Sequence, residues 1–120
     1  TLVVHIRLGD SGTRGSFGLK RRLDWIRSQH IPIIIHTDNR KQLGFFSSNV
    51  RVYGKSFDIL KAFSQMVYAP MFLGADSSLS MAAAFLRNGV TFFDKHQTAN
   101  YEKSSTNVHG VRKMPPHIVI

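Results

Sequence analysis

The chain has no cysteine. That excludes a disulfide framework and any thiolate metal site. Acidic residues are scarce as well. Seven Asp and Glu stand against sixteen Lys and Arg, a formal net charge of +9. Such an excess favours an anionic partner: a nucleotide diphosphate, a nucleic acid or a membrane surface. No apolar run approaches the ~18 residues that a spanning helix needs, and no signal-peptide pattern is present. The six histidines are scattered, with no His-Glu-x-x-His spacing, so no metal is expected. There is no Walker-type phosphate loop and no Gly-x-Gly-x-x-Gly. Gly9, Gly12, Gly15 and Gly18 instead recur every three residues, which reads as a hinge, with a phosphate cradle as the alternative. The chain opens inside a strand with neither leader nor Met. We therefore expect a piece of a longer protein, with anchors and targeting outside it and its compartment unknown.

What is present is 120 residues, 42% hydrophobic and 19% charged, enough for one domain with a real core. The organising stretch is Leu2 to Asp10. Leu2, Val3, Val4, Ile6 and Leu8 form a nearly continuous apolar run, which predicts a buried strand. His5 and Arg7 fall on one face of it, because side chains alternate. A buried guanidinium is costly unless it meets an anion or a carboxylate. Two readings follow: Arg7 clamps a phosphate at the strand's exit, or it pairs with an internal Asp while His5 is a satisfied core histidine.

Further along, Leu19 to Ser28 reads as a helix with Leu19, Leu23 and Ile26 inward. Lys20, Arg21, Arg22 and Arg27 read as its solvated face, with a phosphate or glycan contact as the alternative. Ile31 to His36 is a second buried strand. Asp38 or Asn39 can cap a short helix from Arg40 to Phe46. Val50 to Tyr53 is a third strand. Ser56 to Tyr68 is amphipathic, with Ser56 as N-cap and Pro70 barring continuation. Met71 to Ala75 is a fourth strand, Leu79 to Arg87 a helix stopped by Asn88-Gly89, and Val90 to Phe93 a fifth strand. The expected division is a domain over residues 1–94 and a basic tail over 95–120, with a possible added strand at 117–120. Five alternations of strand and helix predict an α/β fold, a three-layer Rossmann-like sandwich on a mainly parallel five-stranded sheet.

In such a sheet, ligands bind beyond the carboxyl ends of the strands. There the sequence puts Arg7 and Asp10, then His36, Thr37 and Asp38, then Gly54 and Lys55. Asp76, Ser77, Ser78 and Ser80 follow the fourth strand, and Asp94 and Lys95 the fifth. Loops are polar anyway, so part of this convergence is expected by default. The helix start after Asp76 offers free amides and a positive dipole end, an anion site if Ser77 is more than a cap.

His5-x-Arg7-x-Gly9-Asp10 at the end of an apolar strand resembles the first motif of the fucosyltransferase superfamily, which includes α-1,2-, α-1,6- and protein O-fucosyltransferases. Met66 to Ala84, with its apolar strand, Ser77-Ser78 and small-residue helix, looks like that superfamily's last motif. Thr37-Asp38 matches the middle motif weakly. In order, the three cover about three quarters of the chain. The resemblance implies half of a GT-B-type glycosyltransferase that binds GDP-fucose and transfers fucose, with inversion, to a glycan or protein hydroxyl. It implies that Arg7 holds the β-phosphate, that Ser77 and Ser78 bind the donor, and that His5 positions the phosphates or the base. Asp10 is the candidate base, with a turn-capping Asp as the alternative. It also implies an N-terminal domain that completes the acceptor site and is absent from this chain. One departure stands out. Where the family often carries an Asp that reads guanine, this chain has Ala62. Asp58, one turn earlier, either substitutes or guanine specificity is lost.

The competing reading is a non-catalytic basic module for nucleic acid or acidic glycans, drawing on the +9 charge and the Lys103 to Lys113 tail. Nucleic acid is disfavoured, because aromatic residues are not interleaved with the basic ones as base stacking requires. A third reading is a family relative that keeps the fold and binds nothing well.

Overall fold

A computed structural model of the chain describes residues 1–9, 18–97 and 114–120. Asp10, the glycines at 12 and 15, and the tail from Lys103 to Lys113 lie outside the described residues.

The strands are β1 (Leu2–Ile6), β2 (Ile33–Thr37), β3 (Val50–Tyr53), β4 (Met71–Gly74), β5 (Val90–Phe93) and β6 (Ile118–Val119). The helices are α1 (Leu19–Arg27), α2 (Ile59–Tyr68) and α3 (Ser78–Leu86), with a short 3-10 turn at Arg40–Gln42. They build one open sheet in the order β3-β2-β1-β4-β5-β6, and every pairing is parallel. The fold is α/β and Rossmann-like, as the alternation predicts, with six strands rather than five. The sixth forms because Ile120 donates its amide to the Phe93 carbonyl and accepts from the Lys95 amide, at 3.0 and 3.2 Å.

Side-chain alternation divides β1 between two cores. Leu2, Val4 and Ile6 pack with Ile33, Ile35, Leu23 and Ile26 on the α1 side. Val3 packs with Phe72, Ala62, Met66 and Ala83 on the face of α2 and α3. Val4, Ile6, Ile35 and Phe72 are fully buried, each stabilising the fold by about 1.5–3 kcal/mol. His5 and Arg7 continue the Val3 face, so the α2–α3 side of the sheet carries them.

Three local expectations change. Arg22 is not on a solvated helix face: it is fully buried and interacts with the charge of Asp94, which opposes the lowering of its pKa by burial. The second helix begins at Ile59, capped by Asp58 rather than Ser56. The Asp58 carboxylate accepts from the Leu60 amide at 2.9 Å. The turn after β2 is a single 3-10 turn with no side-chain cap, because the Asp38 carboxylate is engaged elsewhere.

One buried cation fastens the layers. Arg87, just past α3, donates Nη1 to the carbonyls of Met66 and Ala69 at 2.7 and 2.9 Å. It gives Nη2 to the Val90 carbonyl at 2.8 Å and Nε to the Thr91 hydroxyl at 2.7 Å. These carbonyls include the orphan acceptors at the end of α2, where a positive charge is also favoured by the helix dipole. At their other ends β4 and β5 are closely packed. A Cβ on Gly74 would lie 2.3 Å from the Phe93 ring.

Candidate functional site

β1 stops at Ile6, so Arg7 stands just beyond the sheet. It is exposed, not buried as the apolar run predicts. No hydrogen bond or ion pair reaches its guanidinium among the described residues. The neighbouring carboxylate, Asp38, is taken by the backbone. Its two oxygens accept from the amides of Leu8 and Gly9 at 2.7 and 2.8 Å. Gly9 makes that turn at φ +73°, a left-handed conformation that favours glycine. Burial raises the Asp38 pKa, but those amides and the nearby Arg7 charge outweigh it, and the carboxyl sits below its ordinary value. Asp38 therefore fixes the exit of β1 through two backbone amides, with the Arg7 charge near it but not bonded to it among the described residues.

Arg7 lines an open cleft of about 230 Å³ at the carboxyl ends of β1, β2 and β3. Its polar end carries Arg7, His5, Thr37, Asp38 and Lys55, and its apolar end Phe57, Ile59, Ala62, Met66 and Leu79. Asp38 is the one carboxylate lining it among the described residues. At its floor His5 and His36 are register partners on adjacent strands. His36 is buried, and its Nε2 lies 2.6 Å from the Gln65 amide oxygen. An amide oxygen only accepts, so Nε2 carries the proton. Burial lowers the His36 pKa against that hydrogen bond. Its ring stacks on Tyr53 with centroids 5.7 Å apart and packs on Phe57 at 4.7 Å. Burial, with the neighbouring His36 and Arg7 charges, drops His5 from 6.5 to about 4, with Asp38 opposing. Both imidazoles are neutral at pH 7.

Beside β1, across the crevice where strand order reverses, β4 ends in the turn that starts α3. Ser77 is its N-cap: the hydroxyl oxygen accepts from the Ser80 amide at 3.1 Å. Ser77 also lies 3.4 Å from His5 Nδ1. Ser78 is exposed on the outer side of the helix start. The Asp76 amide donates to the Gln97 side chain at 3.0 Å, which holds the turn against the segment after β5. Ser80 is the serine that the sequence places at the ligand edge without giving it a role. It is fully buried and bonded to His5 Nδ1 at 2.6 Å.

The structure thus brings His5, Arg7 and Asp38 to one cleft and joins Ser77 to it through His5. Ser78 and Asp58 do not line it. Asp58 caps α2, while Ala62, four residues on, faces the cleft. Lys55, His36 and Phe57 line the cleft without having been given a role from sequence, and Tyr53 backs the rings of His36 and Phe57. Lys55 and His36 stood at strand ends in the sequence, and Phe57 could have been found as an aromatic next to a helix cap. Among the described residues no group of three or more His, Cys, Asp or Glu could hold a metal ion, and no helix is long and apolar enough to cross a membrane. Comparison with protein-family models, curated proteins and solved structures finds no match to this chain.

Proposed function

We propose that this chain is the donor-binding half of a glycosyltransferase of the fucosyltransferase type, taking GDP-fucose and passing fucose, with inversion, to a hydroxyl of a glycan or protein acceptor whose site a second domain completes. The observation that carries the reading is the state of Arg7. It stands at the mouth of the central strand with no internal partner among the described residues, while the nearest carboxylate is held by two backbone amides. Charge without an internal partner, in a cleft with one amide-bound acid and a second cation at Lys55, suits a diphosphate. The apolar end, walled by Phe57, Ile59 and Leu79, suits a planar base or the apolar face of a deoxy sugar. In this reading Arg7 and Lys55 neutralise the leaving diphosphate as its charge develops. Asp10 remains the candidate acceptor base. Asp58 uses Oδ1 for the α2 cap and does not line the cleft, so in this reading either its Oδ2 reads guanine from the rim or guanine specificity is lost.

The test is a thermal-shift and calorimetric panel of GDP, GDP-fucose, GDP-mannose and UDP sugars. Saturable stabilisation by the guanosine compounds is expected, scaling with ligand as site binding requires. A flat response to every nucleotide would remove the transferase reading. A basic module would instead show steep salt dependence on polyanions and indifference to the loss of Arg7.

A further inference from the structure

We infer that Ser80 is a positioning residue: its hydroxyl donates to His5 Nδ1 and thereby fixes His5 as the Nε2–H tautomer, a neutral hydrogen-bond donor aimed at the anion in the cleft. The inference rests on the diphosphate reading for its ligand, and on geometry for its chemistry.

The hydroxyl of Ser80 has one hydrogen to give and has to give it inside the protein, because the residue is fully buried. Its oxygen already accepts from the Ala75 amide at 2.9 Å. Its own backbone amide is taken by the Ser77 hydroxyl. Among the described residues the remaining polar atom at hydrogen-bond distance is His5 Nδ1, 2.6 Å away. A neutral imidazole has one donor and one acceptor nitrogen. Nδ1 is the acceptor here, so the ring proton sits on Nε2. That nitrogen has no hydrogen-bond partner among the described residues, and His5 lines the cleft. The chain Ala75 N–H, Ser80 O–H, His5 Nε2–H therefore relays polarity from a buried backbone amide at the end of β4 into the cleft at the end of β1. Each link polarises the next in the same direction.

The groups facing His5 agree. His36 on the neighbouring strand is neutral, with its Nε2 proton turned to Gln65. Arg7, two residues along, repels a proton on His5, and Asp38 attracts one only weakly against the other three effects. At pH 7 His5 consequently adds a donor beside Arg7 without adding charge, and it has no free lone pair with which to act as a base.

The test uses the full chain labelled with ¹⁵N-histidine. Two-bond ¹H–¹⁵N correlation spectra show which ring nitrogen carries the proton. In the free wild-type protein at pH 7, His5 is expected protonated at Nε2, with Nδ1 shifted as a hydrogen-bonded acceptor. In Ser80→Ala the Nδ1 signal should move toward that of a nitrogen without a donor, since only the Ser77 hydroxyl, at 3.4 Å, stays near it among the described residues. GDP affinity should fall about tenfold, the loss of one charge-assisted hydrogen bond. Ser80→Thr keeps the hydroxyl and should restore both. A wild-type His5 protonated at Nδ1, or on both nitrogens, overturns the inference, and that spectrum decides it even if Ser80→Ala does not fold. An unchanged Nδ1 signal in folded Ser80→Ala also overturns it. Wild-type protein with the Nε2–H ring but no affinity for GDP refutes the diphosphate reading and leaves the Ser80–His5 relay standing.

Discussion

Acid should undo this fold through His5. The ring is neutral in the native state with a pKa of about 4, against 6.5 when exposed. The unfolded chain therefore binds a proton below pH 6.5 that the folded chain refuses until about pH 4. Stability is full above pH 6.5 and is lost as pH falls through that window. The gap of about 2.5 between the two values corresponds, at about 1.4 kcal/mol each, to about 3 kcal/mol in the limit. Of this, about 2 kcal/mol is gone by pH 5. His36, also lowered by burial, adds to the loss in the same direction. Urea unfolding at pH 7.5, 6 and 5 on wild type and His5→Gln separates the two. The variant starts less stable but should lose about 2 kcal/mol less than wild type between pH 7.5 and 5. Equal pH dependence in the two proteins would refute the neutral, buried His5.

Further outcomes are expected elsewhere. Arg87→Met should cost about 3–5 kcal/mol in chemical denaturation, because it strips the donor from the carbonyls of Met66, Ala69 and Val90 at once; a loss below about 1 kcal/mol would show the cation to be dispensable. Asp58→Ala should cost about 1 kcal/mol as a lost N-cap. A switch from guanosine to other nucleotides in that variant would assign base reading to Asp58, and an unchanged preference would exclude it. Gly74→Ala should destabilise by about 1–3 kcal/mol, since its methyl collides with the Phe93 ring; unchanged unfolding would mean that β5 yields.

The order of strands and helices was legible in the sequence because each element carries its own periodicity. Val3 and Phe72 read as core from their neighbours alone, and they are core, with Ile34 partly buried against them. What was not legible depends on partners far along the chain. Arg22 looks like any other cation in a basic run until Asp94 arrives 72 residues later. Arg87 looks like the last residue of a helix, whereas its guanidinium serves the end of the preceding one. Asp38 has the right type and place for a ligand-binding acid, yet two backbone amides of the β1 exit claim it. At the site, the strand ends were foreseen, but polar loops do not say which of five will close on one space. The space formed over β1 to β3 and α2, with Leu79 of α3 on its apolar wall and the hydroxyls of Ser77 and Ser80 reaching it through His5. Ser80 was hidden for the same reason. Three serines in a row of five residues look alike until burial singles one out.

The claim on which the rest depends is that Arg7 is held ready for a diphosphate. Calorimetric titration of GDP into wild type, Arg7→Ala and Arg7→Lys reads it directly. Wild type should bind saturably, Arg7→Ala should bind ten- to a hundred-fold more weakly, and Arg7→Lys should fall between, keeping the charge but not the fork. Equal affinity in wild type and Arg7→Ala would contradict it.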